Sequence, residues 1–284
     1  MRQVSLPRTL GELWAVLQRQ PHSAVYAGGT DLFVKIRDGQ LNPESLVCLE
    51  RLTELQGVQD NGDELFIGAA TTHSKLIVAE SVREHLRVLV KAASVLGSPP
   101  IRHMGTIGGN IVTASPAGDT LPALYVLSAE VEIRHCEGSK RIPINEFIIG
   151  PGTVDLAKGE ILAGVWLRKH QGWNLSHYEK IGRRKAQACA IASMAAVLEL
   201  TETGKVKRAR LAWGSVGPTV ITSEGVENAL IGEQLSLEVL KNAGTMLDKA
   251  ISPIYDIRAG ADYRRMVSKA MLLRLNDYAC GTTY

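Results

Sequence analysis

Two short stretches decide the reading of this chain: Ala27-Gly28-Gly29-Thr30-Asp31 near the start and Thr106-Ile107-Gly108-Gly109-Asn110 further on. Each adjoins a segment that reads as extended. Each also lacks side chains at two successive positions, so that main-chain N–H groups can turn toward an anion. A lone Gly-Gly doublet is ordinary turn chemistry. Read together, with Thr30, Thr106 and Asn110 as side-chain donors, the two form one phosphate-binding device. A dinucleotide pyrophosphate is its natural guest.

Outward from the first stretch, Thr9 opens a helix with Glu12 three residues on as a capping box, and Leu10, Leu13, Trp14 and Leu17 follow at helical spacing. Ala24 to Tyr26 is a short strand, Leu32 to Arg37 a short helix and Ser45 to Leu49 a strand. Gly57 to Asp60 and Glu64 to Ala69 flank Asn61-Gly62, a hairpin signal that opens a second subdomain. Val82, Leu86, Leu89, Val90, Ala93 and Leu96 make one apolar helical stripe, which Gly97, Ser98, Pro99 and Pro100 stop before the second glycine stretch. A small-residue segment, Thr113 to Asp119, leads into an apolar helix near Leu121 to Leu127. Strands follow at Val131 to His135, Lys140 to Ile144 and Ile161 to Leu167.

The polar run Arg168 to Asn174 reads as a domain boundary, giving domains 1–172 (subdomains near 1–55 and 56–172) and 173–284. In the second domain Leu175 to Ile181, Cys189 to Leu200 and Val206 to Ser215 read as a three-stranded antiparallel meander, followed by amphipathic helices over Ser236 to Ala250 and from Asp262. The fold class is α+β.

With 284 residues, two domains are expected. The formal net charge of +3 is spread thinly, and Arg183-Arg184-Lys185 is short enough to be a solvated loop, so a nucleic-acid partner is not expected. The N-terminal residues lack the apolar core of a signal peptide, which predicts a cytoplasmic chain, and the apolar run Ala186 to Leu200 is too short and too polar for a membrane span. Cys48, Cys136, Cys189 and Cys280 form no C-x-x-C pair and the histidines no H-E-x-x-H, so no protein-bound metal is expected. No G-x-G-x-x-G, P-loop or G-x-S-x-G motif is present, and no residue is marked as catalytic.

Ala27-Gly28-Gly29-Thr30-Asp31-Leu32, then Pro100-Ile101-Arg102 leading to Thr106-Ile107-Gly108-Gly109-Asn110-Ile111, then Ala114-Ser115-Pro116, Asp119 and Leu121-Pro122-Ala123 resemble the FAD-binding medium subunit of the molybdenum hydroxylases, the xanthine dehydrogenase and carbon monoxide dehydrogenase family. Gly150-Pro151-Gly152, Glu160-Ile161-Leu162, Pro253, Asp256-Ile257-Arg258 and Tyr263-Arg264-Arg265 match it too, so the resemblance runs the length of the chain. It implies a two-subdomain FAD-binding domain of the vanillyl-alcohol-oxidase/PCMH type followed by a smaller α+β domain. It also implies that both glycine stretches hold the FAD pyrophosphate and that Leu32 is a further cofactor-binding residue. Asp119 matches an acid at the cofactor, Leu162 and Lys180 match FAD contacts, and Leu96 matches a residue against the flavin ring. On the residues alone, Lys180 equally reads as a surface lysine and Leu96 as helix core. Pro100 departs from the family, where Gln is common before Ile-Arg, and the cysteine spacing excludes the iron–sulfur insertion found in one subgroup.

The function so implied is that of an electron-transfer oxidoreductase subunit. A large partner would carry the molybdenum cofactor, a small partner two [2Fe-2S] clusters, and this chain the FAD that passes electrons to NAD or another acceptor. A stand-alone FAD-dependent oxidoreductase with the second domain as substrate cap, and a scaffold that has lost flavin, are the other classes. The substrate is not written in this chain, because in this reading it binds another polypeptide.

Overall fold

The computed structural model describes residues 2–169, 171–184 and 187–279. Lys185 of the basic loop, Ala186 at the head of the apolar run and Cys280 lie outside the described residues. The chain divides into two compact units that alternate along the sequence: residues 1–84, 98–114 and 128–169 form the first, and 85–97, 115–127 and 170–284 the second.

The first unit begins with a parallel three-stranded sheet of β1 (Gln3–Ser5), β2 (Ala24–Tyr26) and β3 (Ser45–Cys48), in the order β1-β3-β2. The helix Leu10–Arg19 connects β1 to β2 and buries Leu13 completely. Thr9 Oγ1 accepts from Glu12 N at 3.2 Å as the cap requires, but the Glu12 carboxylate returns to Arg8 N at 2.8 Å, one residue earlier than a capping box closes. Leu13 packs with Val47, Leu52, Leu55 and Ile161 in one buried cluster.

The same unit holds a five-stranded sheet. It comprises β4 (Val58–Asn61), β5 (Glu64–Gly68), β6 (Glu130–His135), β7 (Gly138–Pro143) and, after the small hairpin of β8 (Ile148–Gly150) and β9 (Thr153–Val154), β10 (Ile161–Arg168). Its order is β4-β5-β10-β6-β7, all antiparallel. The β4–β5 hairpin pairs Asn61 with Glu64, and Gly62 takes the positive φ of 78° that its turn needs.

Two sequence expectations change here. The prolines taken as a stop, Pro99 and Pro100, open the helix Pro99–Met104 at its first positions, where a missing N–H costs nothing. The Val82–Leu96 stripe is not one helix: it breaks at Leu86 (φ −125°, ψ 45°) into Glu80–His85 and Arg87–Ser94, with Val82, Leu86, Leu89 and Ala93 all buried.

The second unit is built on β11 (Leu175–Ile181), β12 (Ala192–Leu200), β13 (Val206–Gly214) and β14 (Ile221–Thr222), paired in that order. The expected meander is there, with β12 starting three residues later than read and a two-residue fourth strand added at its edge. The helices Glu224–Leu230, Leu237–Ala250 and Ala261–Leu273 close a core on one face with Met194, Ala196, Leu198, Leu211 and Trp213. The helices Arg87–Ser94 and Leu121–Val126 pack on the same strands. A strand covered on both faces is apolar at consecutive positions, and β12 is buried from Ala192 to Leu198 without alternation. Among the described residues no helix is long and apolar enough to cross a membrane.

Candidate cofactor site

In the first unit, β2 ends at Tyr26 and releases the chain into Ala27–Asp31 before the helix Leu32–Arg37. Gly29 has a φ of 67°, and a Cβ there would overlap the Phe33 ring, so both conformation and space call for glycine. A Cβ on Gly28 would overlap the Met104 carbonyl. Among the described residues the N–H groups of Gly28, Gly29, Thr30, Asp31 and Leu32 donate to no acceptor. Such a run of unspent donors suits an anion with several oxygens.

The second stretch is built differently. Thr106 caps the helix Ile107–Thr113, and its Oγ1 accepts from Gly109 N at 3.1 Å. Ile107 N donates to Thr71 O at 3.0 Å, Gly108 N to Ala69 O at 2.9 Å and Asn110 N to Thr106 O at 3.0 Å. This doublet is thus the first turn of a helix, preceded by a helix, and its main-chain donors are already spent. Its two glycines also differ. A Cβ on Gly108 would overlap Ala69, whereas at Gly109, which is exposed, it would meet only Thr106 Oγ1 at 3.0 Å. Gly108 is small for packing, and Gly109 leaves a surface that a ligand can approach.

The tertiary structure brings the two stretches together. Gly28 packs on Met104, and Thr30 Oγ1 lies 3.4 Å from where a Gly105 Cβ would stand. Thr113 Oγ1 bonds Asp31 Oδ2 at 3.3 Å, and Lys35 pairs with the same oxygen at 2.7 Å. A cleft of about 880 Å³ in this unit is lined by Ala27, Gly28, Met104 and Thr106, with Lys75 and Arg102 supplying positive charge. Leu162 is buried in β10 beside a bulge and does not line that cleft. Beneath the second stretch His73 is buried, its Nδ1 without a partner. Burial, and then the Arg102 charge, push its pKa down to about 4.

In the second unit, Lys180 of β11 pairs with Asp119 at 2.6 Å, the two side chains 9% and 8% exposed. The surface-lysine reading therefore fails. Lys180 Nζ also reaches Val95 O at 3.3 Å, and Leu96 beside it is buried. Burial pushes the Asp119 carboxyl up to about 6, with Lys180 pulling it back toward its ordinary value. Asp119 Oδ1 has no hydrogen-bond partner. Sequence reasoning missed Tyr178 and Ser193, whose hydroxyls are buried near Asp119. The available signal was strand period, since Tyr178 shares the Lys180 face of β11, and Ser193 stands opposite Lys180 in register.

The donor set fits FAD on two counts: unspent N–H groups suit a pyrophosphate, and an orphaned buried carboxylate oxygen suits a hydroxyl or N–H of a polar ligand. Against known families, the profile described as FAD binding domain in molybdopterin dehydrogenase matches residues 1–167, and that described as CO dehydrogenase flavoprotein C-terminal domain matches 176–279. The chain belongs to the FAD-binding medium subunits of the molybdenum hydroxylases.

Similar proteins agree with that placement over nearly their whole length. This flavoprotein subunit is 30% identical over 268 residues to the xanthine dehydrogenase FAD-binding subunit of Escherichia coli O157:H7, covering 93% of this chain and 90% of that one. It is 29% identical to the carbon monoxide dehydrogenase medium chain of Hydrogenophaga pseudoflava, covering 94% and 93%. The solved carbon monoxide dehydrogenase of Hydrogenophaga pseudoflava superposes with a TM-score of 0.91 at 28% identity, over 97% of this chain and 96% of that one. The nicotinate dehydrogenase FAD-subunit of Eubacterium barkeri is similar at 28% identity, over 91% and 89%. Three proteins named for three different substrates thus lie at nearly equal distance, and none singles out a substrate for this oxidoreductase subunit.

Proposed function

We propose that this subunit holds FAD through Ala27 to Leu32, Leu96, Thr106 to Asn110, Asp119, Leu162 and Lys180. In this role it takes electrons from the [2Fe-2S] clusters of a small partner chain in a complex whose large chain carries the molybdenum cofactor. It passes them to NAD or another acceptor. The observation that carries the reading is the unspent N–H run of Gly28 to Leu32, packed against Met104 at the head of the second stretch. When bound, FAD supplies the conversion between single electrons and a hydride. The protein's part is to bind, orient and charge-balance it.

The domain division consistent with this role is 1–172 and 173–284. The test is purification from the native host. A yellow protein that releases FAD on heating and brings down two further chains is the expected result. A colourless chain whose spectrum FAD leaves unchanged overturns the cofactor reading. A yellow chain that purifies alone overturns the subunit role, and bleaching of the complex's flavin by NADH distinguishes NAD from another acceptor.

A further inference from the structure

Among the described residues of the second unit, the most exposed large apolar side chains sit in the segment between the helices Leu237–Ala250 and Ala261–Leu273. Ile254, Tyr255 and Ile257 are 65%, 84% and 89% exposed. Tyr263 and Met266, about one turn apart on the helix that follows, are exposed as well. Single apolar residues on a surface are ordinary, but a run of them on a backbone that cannot turn them inward marks an interaction site.

That backbone is pinned. The Asp256 carboxylate accepts from the N–H groups of Arg258 at 2.8 Å and Ala259 at 3.3 Å, from Arg258 Nη2 at 2.7 Å and from Arg264 Nη2 at 2.8 Å. Arg264 is buried, and its Nη1 donates to Ile191 O and to Ser215 O. Arg183 donates to the carbonyls of Ile257 and Arg258. Burying a guanidinium is costly, and here it fixes a loop whose apolar side chains face water. A loop already fixed loses little freedom when a partner covers it.

Position and charge name the partner. Ile191 N donates to Ile181 O at 2.7 Å, next to Lys180, so a few hydrogen bonds join this loop to the lysine placed at FAD. Single electrons cross only short gaps, so the chain that delivers them must dock close to the flavin. Arg183 and Arg184 are exposed and, among the described residues, bond only carbonyl oxygens, which leaves their charges uncompensated beside the loop. A [2Fe-2S] cluster of two ferric ions, two sulfides and four thiolates is a net anion, complementary to that rim.

We propose that Ile254, Tyr255 and Ile257, rimmed by Arg183 and Arg184, dock the small [2Fe-2S] chain. The inference rests on the subunit role and on the placement of Lys180 at FAD.

The test is the composition of the purified complex on size-exclusion chromatography over a salt series, for the wild type, Tyr255→Ser/Ile257→Ser and Arg183→Glu. The absorbance of its clusters identifies the small chain. The double variant changes only solvent-facing groups, so this chain should keep its flavin and its melting temperature while its affinity for the small chain falls about tenfold or more. In the wild type the small chain should dissociate as salt rises, and Arg183→Glu should bring that release to lower salt. A small chain held equally by both variants, or loss of the large chain with the small one retained, overturns the proposal. A wild-type dimer of this chain alone that the double variant turns into monomers assigns the patch to a second copy and overturns it too. A yellow wild type that brings down no small chain overturns the subunit role as well. If the double variant loses its flavin, Arg183→Glu and the wild-type salt series decide.

Discussion

Gly28, Gly108 and Gly109 look alike in sequence and do different physical work. At Gly28 and Gly108 a Cβ would collide with Met104 and Ala69 backbone, while at Gly109 it would meet only one hydroxyl oxygen. Gly28→Val and Gly108→Val should therefore lower the melting temperature, with losses of about 1–3 kcal/mol or more typical of overpacking. Gly109→Val should leave the melting transition of the apo chain within a few degrees yet abolish FAD retention, because the branched side chain fills the surface the ligand would approach. Flavin content and thermal melts of the three variants check this, and a Gly109→Val protein of normal yellow colour would count against the site.

His73 gives a second residue-scale prediction. Its folded pKa is about 4 against an ordinary 6.5, lowered by burial and then by Arg102, so only the unfolded chain takes up its proton between those values. Its contribution to stability is complete above pH 6.5 and is lost as pH falls toward 4, about 2 kcal/mol of it by pH 5. His73→Gln should flatten that limb. Melting temperatures of variant and wild type at pH 7 and pH 5 measure it, and parallel curves would refute it.

At the scale of elements, the helix Ile107–Thr113 depends on its cap. Thr106 Oγ1 satisfies Gly109 N, and the helix is too short to hold its first turn by propensity alone. Thr106→Ala should cost about 1 kcal/mol and weaken FAD binding through the displaced first turn, whereas Thr106→Ser should restore both. Calorimetric melting and FAD titration of the pair give the readout. The same scale explains why two prolines were misread: Pro99 and Pro100 end one helical pattern and, by position, begin another. Lys180 was ambiguous for a related reason. Strand period tells which face of β11 it shares, but not that Asp119, far away in sequence, buries it there.

At the scale of the whole molecule, the second unit is not the C-terminal stretch alone. Residues 85–97 and 115–127 belong to it, and their helices pack on β11, β12 and β13. A fragment of residues 173–284 would leave that sheet face, including Ala195, Val197 and Ala212, open to water. Such an apolar face drives association. The fragment should be insoluble or melt without a cooperative transition, whereas the full chain should melt cooperatively. A soluble, sharply melting fragment would show that the domain boundary near residue 172 is also a folding boundary.

The sequence by itself determined what depends on neighbours in the chain: the Thr9 cap, the β4–β5 hairpin, the strand period of the second unit, and the ordered motifs that place the chain among the flavin subunits. Their signals are local, because caps, turns and periodicities act over a few residues. Only the tertiary structure decided which glycines are packing and which is open, that the donors of one doublet are spent and those of the other are not, and that Lys180 is buried against Asp119. It alone assigned two helices of the N-terminal half to the C-terminal sheet. Each of these depends on contacts between residues distant in sequence, and burial changes the energy of a charge or a donor far more than the identity of the residue beside it.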